Sequence, residues 1–341
     1  MPTETMKAVR LTRQGPPDVL SCDELPVPSI RANEVLIRNE AAGITFTDVE
    51  RRRGGYCPLA TRLPRVLGGE FSGVVTAVGD EVTGVRVGDR VFGIAHPARS
   101  GCYAQYVAAP AGEVFPLPHD LGFAEATALL VQGLTAYLML RDGVRLAKND
   151  SVLVLAAAGG VGSLAVQLAR IMGASQVVGA AGTPEKRQLV LGLGADSVVD
   201  YTQPRWHTEV LRKTGDRGVD AVMVCGGGEM LAEATAGLAP FGRLAVHGTV
   251  NGEMPVVNLT AGLASQVLMN LSFTFFALHF YFLYARSELA LALEEMVRLV
   301  REGRLRLVLD QQFPLSAAAE AHRLLEGRRS TGKMVLLPWA D

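Results

Sequence analysis

The chain has 341 residues, 49% of them hydrophobic and 20% charged, which suits two well-cored domains and excludes a disordered, collagen-like or coiled-coil chain. Its 33 basic and 34 acidic residues leave a net charge of −1, which gives no electrostatic footprint for nucleic acid. Cys22, Cys57, Cys102 and Cys225 form no C-x-x-C pair, so no disulfide framework or cysteine-clustered zinc site is expected. They read as small apolar residues in a reducing cytoplasm, and no apolar leader follows Met1.

Residues 1–122 carry short β-type runs punctuated by turns such as Gly79-Asp80 and Gly88-Asp89, and they predict a β-rich domain. From residue 123 the spacing turns helical. After the polar turn Lys148-Asn149-Asp150, strand and helix patterns alternate as far as Val250, which predicts βαβ units and a doubly wound parallel sheet over 123–270. The tail, 271–341, shows an amphipathic helix ended by Gly303, a strand, a second helix and a last strand, and is expected to fold back on the first domain. Residues 267–285 approach the ~20 apolar residues that cross a bilayer. They contain Asn270 and His279 and lack a flanking cation on the N-terminal side, so a buried or interface segment is expected and no membrane association.

The strongest chemical signal runs from Val152 to Gly162, where an apolar strand ends in a glycine turn that opens a helix. That is the context of a dinucleotide-binding turn, with the pyrophosphate on the helix N-terminus. Ala158, Gly159, Gly160, Val161 and Gly162 are the candidate contacts, although Ala157 replaces the first glycine of G-x-G-x-x-G. At the tip of the second strand an NAD site places a carboxylate for the ribose 2′-hydroxyl. Here Ala181 stands there, followed by Gly182, Thr183, Lys186 and Arg187, with Tyr201 closing the third strand. This predicts NADPH. His247 and Gly248, at the end of a later strand, are expected beside the nicotinamide amide.

Further marks occur in order: Glu34-Val35-Leu36-Ile37, Ala41-Ala42-Gly43-Ile44, Gly68-Gly69-Glu70-Phe71, Val87-Gly88-Asp89-Arg90, Gly133-Leu134-Thr135-Ala136-Tyr137, Gly242-Arg243-Leu244 and Gly332-Lys333-Met334-Val335. With them the chain resembles the medium-chain dehydrogenase/reductase superfamily, in its quinone-oxidoreductase-like branch, over nearly its whole length. The resemblance implies a GroES-like catalytic domain built from the N-terminal part and the tail, a Rossmann cofactor domain between them, an active site in the cleft, and a homodimer or homotetramer; a cytoplasmic homodimer is expected. The zinc alcohol dehydrogenases of the superfamily carry a cysteine and a histidine where this chain has Thr45 and Gly69. Only Glu70 remains, and residues 92–105 lack the four-cysteine lobe, so no metal is expected.

Without a Lewis acid, the suitable acceptors delocalise charge themselves, as quinones and α,β-unsaturated carbonyls do. The resemblance points to Thr45, Tyr56 and Thr135 as catalytic candidates, with a helix hydroxyl bonded to the preceding turn as the other reading of Thr135 and a half-buried aromatic as that of Tyr56. It points to Phe273, Phe275 and Phe276, within an aromatic run over 273–284, as a wall for an apolar or conjugated carbonyl substrate, with dimer interface and core as the other reading. Arg328 in the tail is a further candidate cofactor contact. Asp48, His119, His207, His279 and His322 read as structural, whereas His96 lies on a loop near the cleft. An enoyl reductase for acyl or polyketide thioesters is the alternative, with Arg51, Arg52 and Arg53 as its basic entrance. A non-catalytic NADPH-binding protein is the second alternative, and a membrane-associated reductase rests on 267–285 alone.

Overall fold

Residues 4–55, 62–95, 101–248 and 269–340 are described in the computed structural model. They fall into two units, Met1–Val131 with Val308–Asp341, and Gln132–Leu307. Unit 1 begins with β1 (Thr5–Leu11), β2 (Leu20–Pro26), β3 (Glu34–Gly43), α1 (Phe46–Arg53), β4 (Arg65–Val66), β5 (Glu70–Val78), β6 (Arg90–Ile94), β7 (Tyr106–Pro110), β8 (Val114–Pro116) and α2 (Phe123–Ala128). β1 pairs antiparallel with β2 on one side and β4 on the other. β3 alternates buried Val35 and Ile37 with less buried neighbours, the period-2 pattern of a half-covered strand. Ile37 sits opposite Val75 of β5 and Val107 of β7, and the three share one apolar core with Phe71 and Val91.

Unit 2 runs through α3 (Leu134–Leu138), β9 (Ser151–Val154), α4 (Gly160–Ile171), β10 (Gln176–Ala180), α5 (Pro184–Gly192), β11 (Ser197–Val199), α6 (His207–Lys213), β12 (Val219–Cys225), α7 (Gly228–Ala236), β13 (Leu238–His247), β14 (Ser272–Phe275), α8 (His279–Tyr284) and α9 (Arg286–Arg301). Its six strands are all parallel in the order β11-β10-β9-β12-β13-β14. The earliest strand therefore lies inside the sheet, and the order reverses between β9 and β12. In a doubly wound sheet that reversal opens the ligand crevice outside the carboxyl ends of the strands. Leu153, Val178, Val222, Val224 and Leu244 fill the core.

The chain returns to unit 1 as β15 (Leu309–Pro314), α10 (Ala318–Glu326) and β16 (Lys333–Leu337). The larger sheet of that unit reads β15-β16-β3-β5-β6-β8, with β7 on β3. The expected mixed architecture, a β-rich unit closed by the tail and a parallel-sheet unit, is the one observed.

The boundaries differ from 123, 270 and 271. Residues 123–131 stay with unit 1, where α2 packs on β3 and β5. Residues 271–307 stay with unit 2, because β14 adds a parallel strand to β13 from Arg243↔Ser272 to Val246↔Phe275. α9 follows them, packing on α3 and burying Leu289, Leu293, Met296 and Leu299. The 267–285 segment is not one span: 267–268 lie outside the described residues and the rest divides into β14 and α8. Among the described residues only Phe123–Gly143 is long and apolar enough to cross a membrane. It is broken at Leu130 (φ −70°, ψ −113°) and two-thirds of it is buried, as in a core segment.

Candidate active site

In unit 2 the chain leaves β9 and turns into α4 through Ala156, whose φ of 48° is left-handed and whose carbonyl accepts the Gly159 N–H at 2.8 Å. Gly162 has no room for a side chain: a Cβ there would lie 2.3 Å from the Ala156 oxygen and 2.6 Å from Ala157 Cα. At Gly160 a Cβ would meet Gln132 at 2.2 Å, and the buried Gln132 Oε1 takes no hydrogen bond. Ala158 is buried, Val161 half-buried, and the N–H groups of Gly160, Val161 and Gly162 find no carbonyl among the described residues. Such a helix start presents bare donors and the positive end of a dipole. Donors at a helix end, a buried acceptor and a turn that tolerates no Cβ fit a dinucleotide.

At the tip of β10 the buried Ala181 carries no charge. A Cβ on Gly182 would be 3.6 Å from the Tyr201 ring, so the strand tip and this aromatic adjoin. Thr183 caps α5, its Oγ1 accepting the Lys186 N–H at 3.3 Å. Arg187 is committed to structure: it pairs with Asp200 at 2.9 Å and donates to the Ala181 carbonyl at 3.2 Å. His247 ends β13 opposite Cys225, its carbonyl accepting the Gly226 N–H at 3.2 Å, and Gly248 follows with φ 63°. Desolvation pushes the His247 imidazole down to about 4, so it is neutral at pH 7.

In unit 1 Thr45 starts α1 and donates its hydroxyl to Asp48 Oδ2 at 2.8 Å and its N–H to the same oxygen at 3.0 Å. The Tyr103 hydroxyl donates there too, at 3.2 Å, while Asp48 Oδ1 takes no hydrogen bond. The Tyr103 oxygen lies 3.3 Å from His322 Nε2, and Arg52 Nε donates to His322 Nδ1 at 3.3 Å. Since a guanidinium only donates, Nδ1 accepts, the ring proton sits on Nε2, and Nε2 donates to Tyr103. Arg52 also pairs with Glu326 at 2.5 Å and donates to the Gly15 carbonyl. Burial, with the charge of Arg52, pushes His322 down to about 3, and burial, then Asp48, pushes the Tyr103 phenol well up. His322 and Tyr103 therefore stay neutral near pH 7. With its hydrogen committed to Asp48, Thr45 has only oxygen lone pairs to offer a bound molecule.

Glu70 is wholly buried. Its Oε1 accepts the Val131 N–H at 2.6 Å, and its Oε2 pairs with Lys333 Nζ, which also donates to the Ile44 carbonyl at 3.3 Å. Gly43 makes room for this pair, since a Cβ would come within 2.0 Å of Glu70 Oε2 and 2.8 Å of Lys333 Nζ. Burial raises the Glu70 carboxyl and Lys333 opposes the rise. Zinc takes thiolate, imidazole or carboxylate. A threonine already bound to Asp48, a glycine, and a carboxylate already bound to an ammonium do not fit it.

The Arg51–Arg53 run is not a uniform basic face. Arg52 is the buried network member just described, and Arg53 pairs with Glu50 and lies 5.5 Å over the Phe46 ring. Tyr56 and His96 lie outside the described residues. Thr135 is on α3 in unit 2 and 5% exposed. Arg328 follows α10 in unit 1 with φ 54°. Phe273 packs against the core of unit 2, Phe275 is 61% exposed, and Phe276 lies 5.7 Å from the Tyr281 ring. Sequence reasoning missed the partnership of Thr45 with Asp48, although T-x-x-D is a capping-box signature. It also missed Lys333 as the partner of Glu70; Tyr103, His322 and Gln132 carry no local signal.

Two family models match the chain, an alcohol dehydrogenase GroES-like domain over residues 31–119 and a zinc-binding dehydrogenase over 193–336. A quinone oxidoreductase of Pseudomonas aeruginosa is 34% identical, covering 97% of this chain and 99% of that protein. A 2-haloacrylate reductase of a Burkholderia species is 33% identical, covering 98% and 99%. The crystal structure of an Escherichia coli quinone oxidoreductase complexed with NADPH has a TM-score of 0.89 at 31% identity, covering 97% of this chain and 100% of that one.

Proposed function

This chain belongs to the quinone oxidoreductase family of the medium-chain dehydrogenase/reductase superfamily, and from that premise we propose that it transfers a hydride from NADPH to a quinone or an activated C=C bond without a metal. The observation that carries the reading is the Lys333 ammonium on Glu70, beside Thr45 and Gly69 at the positions where a zinc enzyme keeps its ligands. Bound NADPH supplies the hydride, from C4 of its nicotinamide ring. The bare N–H groups at the start of α4 hold the pyrophosphate. Ala181 puts no negative charge against a 2′-phosphate, and Lys186 and Tyr201 adjoin that position. The acceptor spreads its developing charge into an enolate or hydroquinone anion, so the main task of the protein is orientation. Thr45 accepts a hydrogen bond from a hydroxyl or amide of a bound molecule, and Thr135 and Tyr56 are proposed as further catalytic residues.

NADPH oxidation measured against a panel of quinones, enals and enoyl thioesters tests the proposal. Chelator-insensitive turnover of at least one acceptor, faster with NADPH than NADH, is the expected result. Tight NADPH binding with silence on every acceptor would instead mark a non-catalytic binder. We propose a cytoplasmic homodimer; the exposed Phe275, Phe280 and Tyr284 on β14 and α8 support the self-association, with light scattering as its check.

A further inference from the structure

Three successive arginines on α1 meet three different fates, and the first has no counterpart in the rest of the site. Arg52 and Arg53 hold Glu326 and Glu50. Arg51 is only 5% exposed, yet among the described residues it makes no hydrogen bond and no ion pair. Asp48, one turn earlier on the same helix, already receives Thr45 and Tyr103 and does not pair with it. Thr47, a full turn before Arg51 on the same side of α1, is exposed. Arg51 lies in unit 1 on the helix that Thr45 starts.

A buried cation without a partner is costly, and a protein keeps one where a ligand supplies the missing anion. A guanidinium is a planar fork of donors that matches a carboxylate with two parallel hydrogen bonds. We propose that Arg51 anchors an anionic group of the acceptor, so that the substrate is a conjugated carbonyl compound carrying a carboxylate. This rests on the hydride-transfer reading above and narrows it. One alkene carbon takes the hydride and the other a proton from solvent, giving the saturated acid and NADP⁺, while Arg51 holds the carboxylate that remains unchanged.

The test compares 2-chloroacrylate with its methyl ester, which lacks the charge. The wild-type protein is expected to favour the acid in kcat/KM. Arg51→Met should lower the acid-to-ester ratio about 10- to 100-fold, the size of a charged hydrogen bond lost, and Arg51→Lys should recover part of it. A second readout needs no turnover: the unreactive 2-chloropropionate should raise the Tm of the wild type but not of Arg51→Met, whose own Tm should equal or exceed the wild type's. An unchanged ratio overturns the proposal. So does a lowered Tm of the unliganded variant with no change in ligand response, which would place the guanidinium in an internal pair. An unchanged ratio with a tenfold weaker Kd for NADPH would assign Arg51 to a cofactor phosphate and also overturn it. Quinone turnover with no preference for the acid removes this inference alone, whereas silence on every acceptor beside an intact 2-chloropropionate shift removes the hydride-transfer reading and, with it, the acceptor role of Arg51, leaving only a carboxylate site.

Discussion

Replacing Lys333 with methionine leaves Glu70 wholly buried, with the Val131 N–H as its one remaining donor among the described residues. Removing one partner of a buried ion pair costs about 3–5 kcal/mol, because the other charge stays desolvated. For a unit of this size, each kcal/mol moves Tm by about 2–4 °C, so the variant should melt roughly 6–20 °C lower. The double variant, Glu70→Leu with Lys333→Met, should recover most of the loss, since an apolar pair of similar volume is often neutral or better. The sign of the pH dependence is fixed as well. Burial raises the Glu70 carboxyl above its unfolded value. Without Lys333 it rises further, and a raised carboxyl favours the folded state at low pH and loses that advantage as pH climbs through the folded value. The deficit of Lys333→Met should therefore widen only above the raised folded value of the wild-type carboxyl, because below it both folded proteins keep Glu70 protonated. Denaturant unfolding of the wild type, both single variants and the double variant at two pH values measures the cycle. Additive losses, or a Lys333→Met cost below about 1 kcal/mol, would refute the reasoning.

Gly162→Ala should abolish NADPH binding and cost about 1–3 kcal/mol by overpacking, because its Cβ meets backbone atoms that cannot turn aside; fluorescence titration and thermal melting read the two effects. Ala181→Asp should weaken NADPH at least tenfold and improve NADH, seen as a reversal in the ratio of kcat/KM for the two cofactors. His322 titrates at about 3 folded against 6.5 unfolded. A depressed value means the unfolded chain binds the extra proton, so stability falls as pH drops from 6.5 toward 3, by up to about 4–5 kcal/mol. Against the wild type, His322→Gln should flatten the slope of stability with pH between 4 and 6 by about one proton.

The glycine turn and the strand tip were legible because their chemistry is local: strand, turn and helix lie next to each other in the chain, and a missing carboxylate at Ala181 can be read directly. The absence of zinc ligands was legible for the same reason, residue by residue at Thr45 and Gly69. The pairing of Glu70 with Lys333 joins residues 263 positions apart, and the His322–Tyr103 contact spans 219. Such partners are set by the sheet that brings β16 beside β3, not by any neighbouring residue. The boundary at 307 was hidden because β14, displaying Phe273 and Phe275, shows the same aromatic, strand-like texture whether it extends one sheet or begins another. Arg51, Arg52 and Arg53 look alike in sequence, and only the burial of α1 separates them.

The position of β16 between β15 and β3 has a consequence for biosynthesis. The segment 132–307 is continuous and emerges from the ribosome complete, so its parallel sheet can form while the chain is still being made. The first unit must wait: until residues 333–337 clear the exit tunnel, the Ala42–Gly43 end of β3 lacks its β16 partner and the interior acid at position 70 lacks the Lys333 countercharge. A nascent chain stalled or truncated before Lys333 should thus display a finished second unit and a protease-sensitive first one, and β16 acts as the latch that closes unit 1.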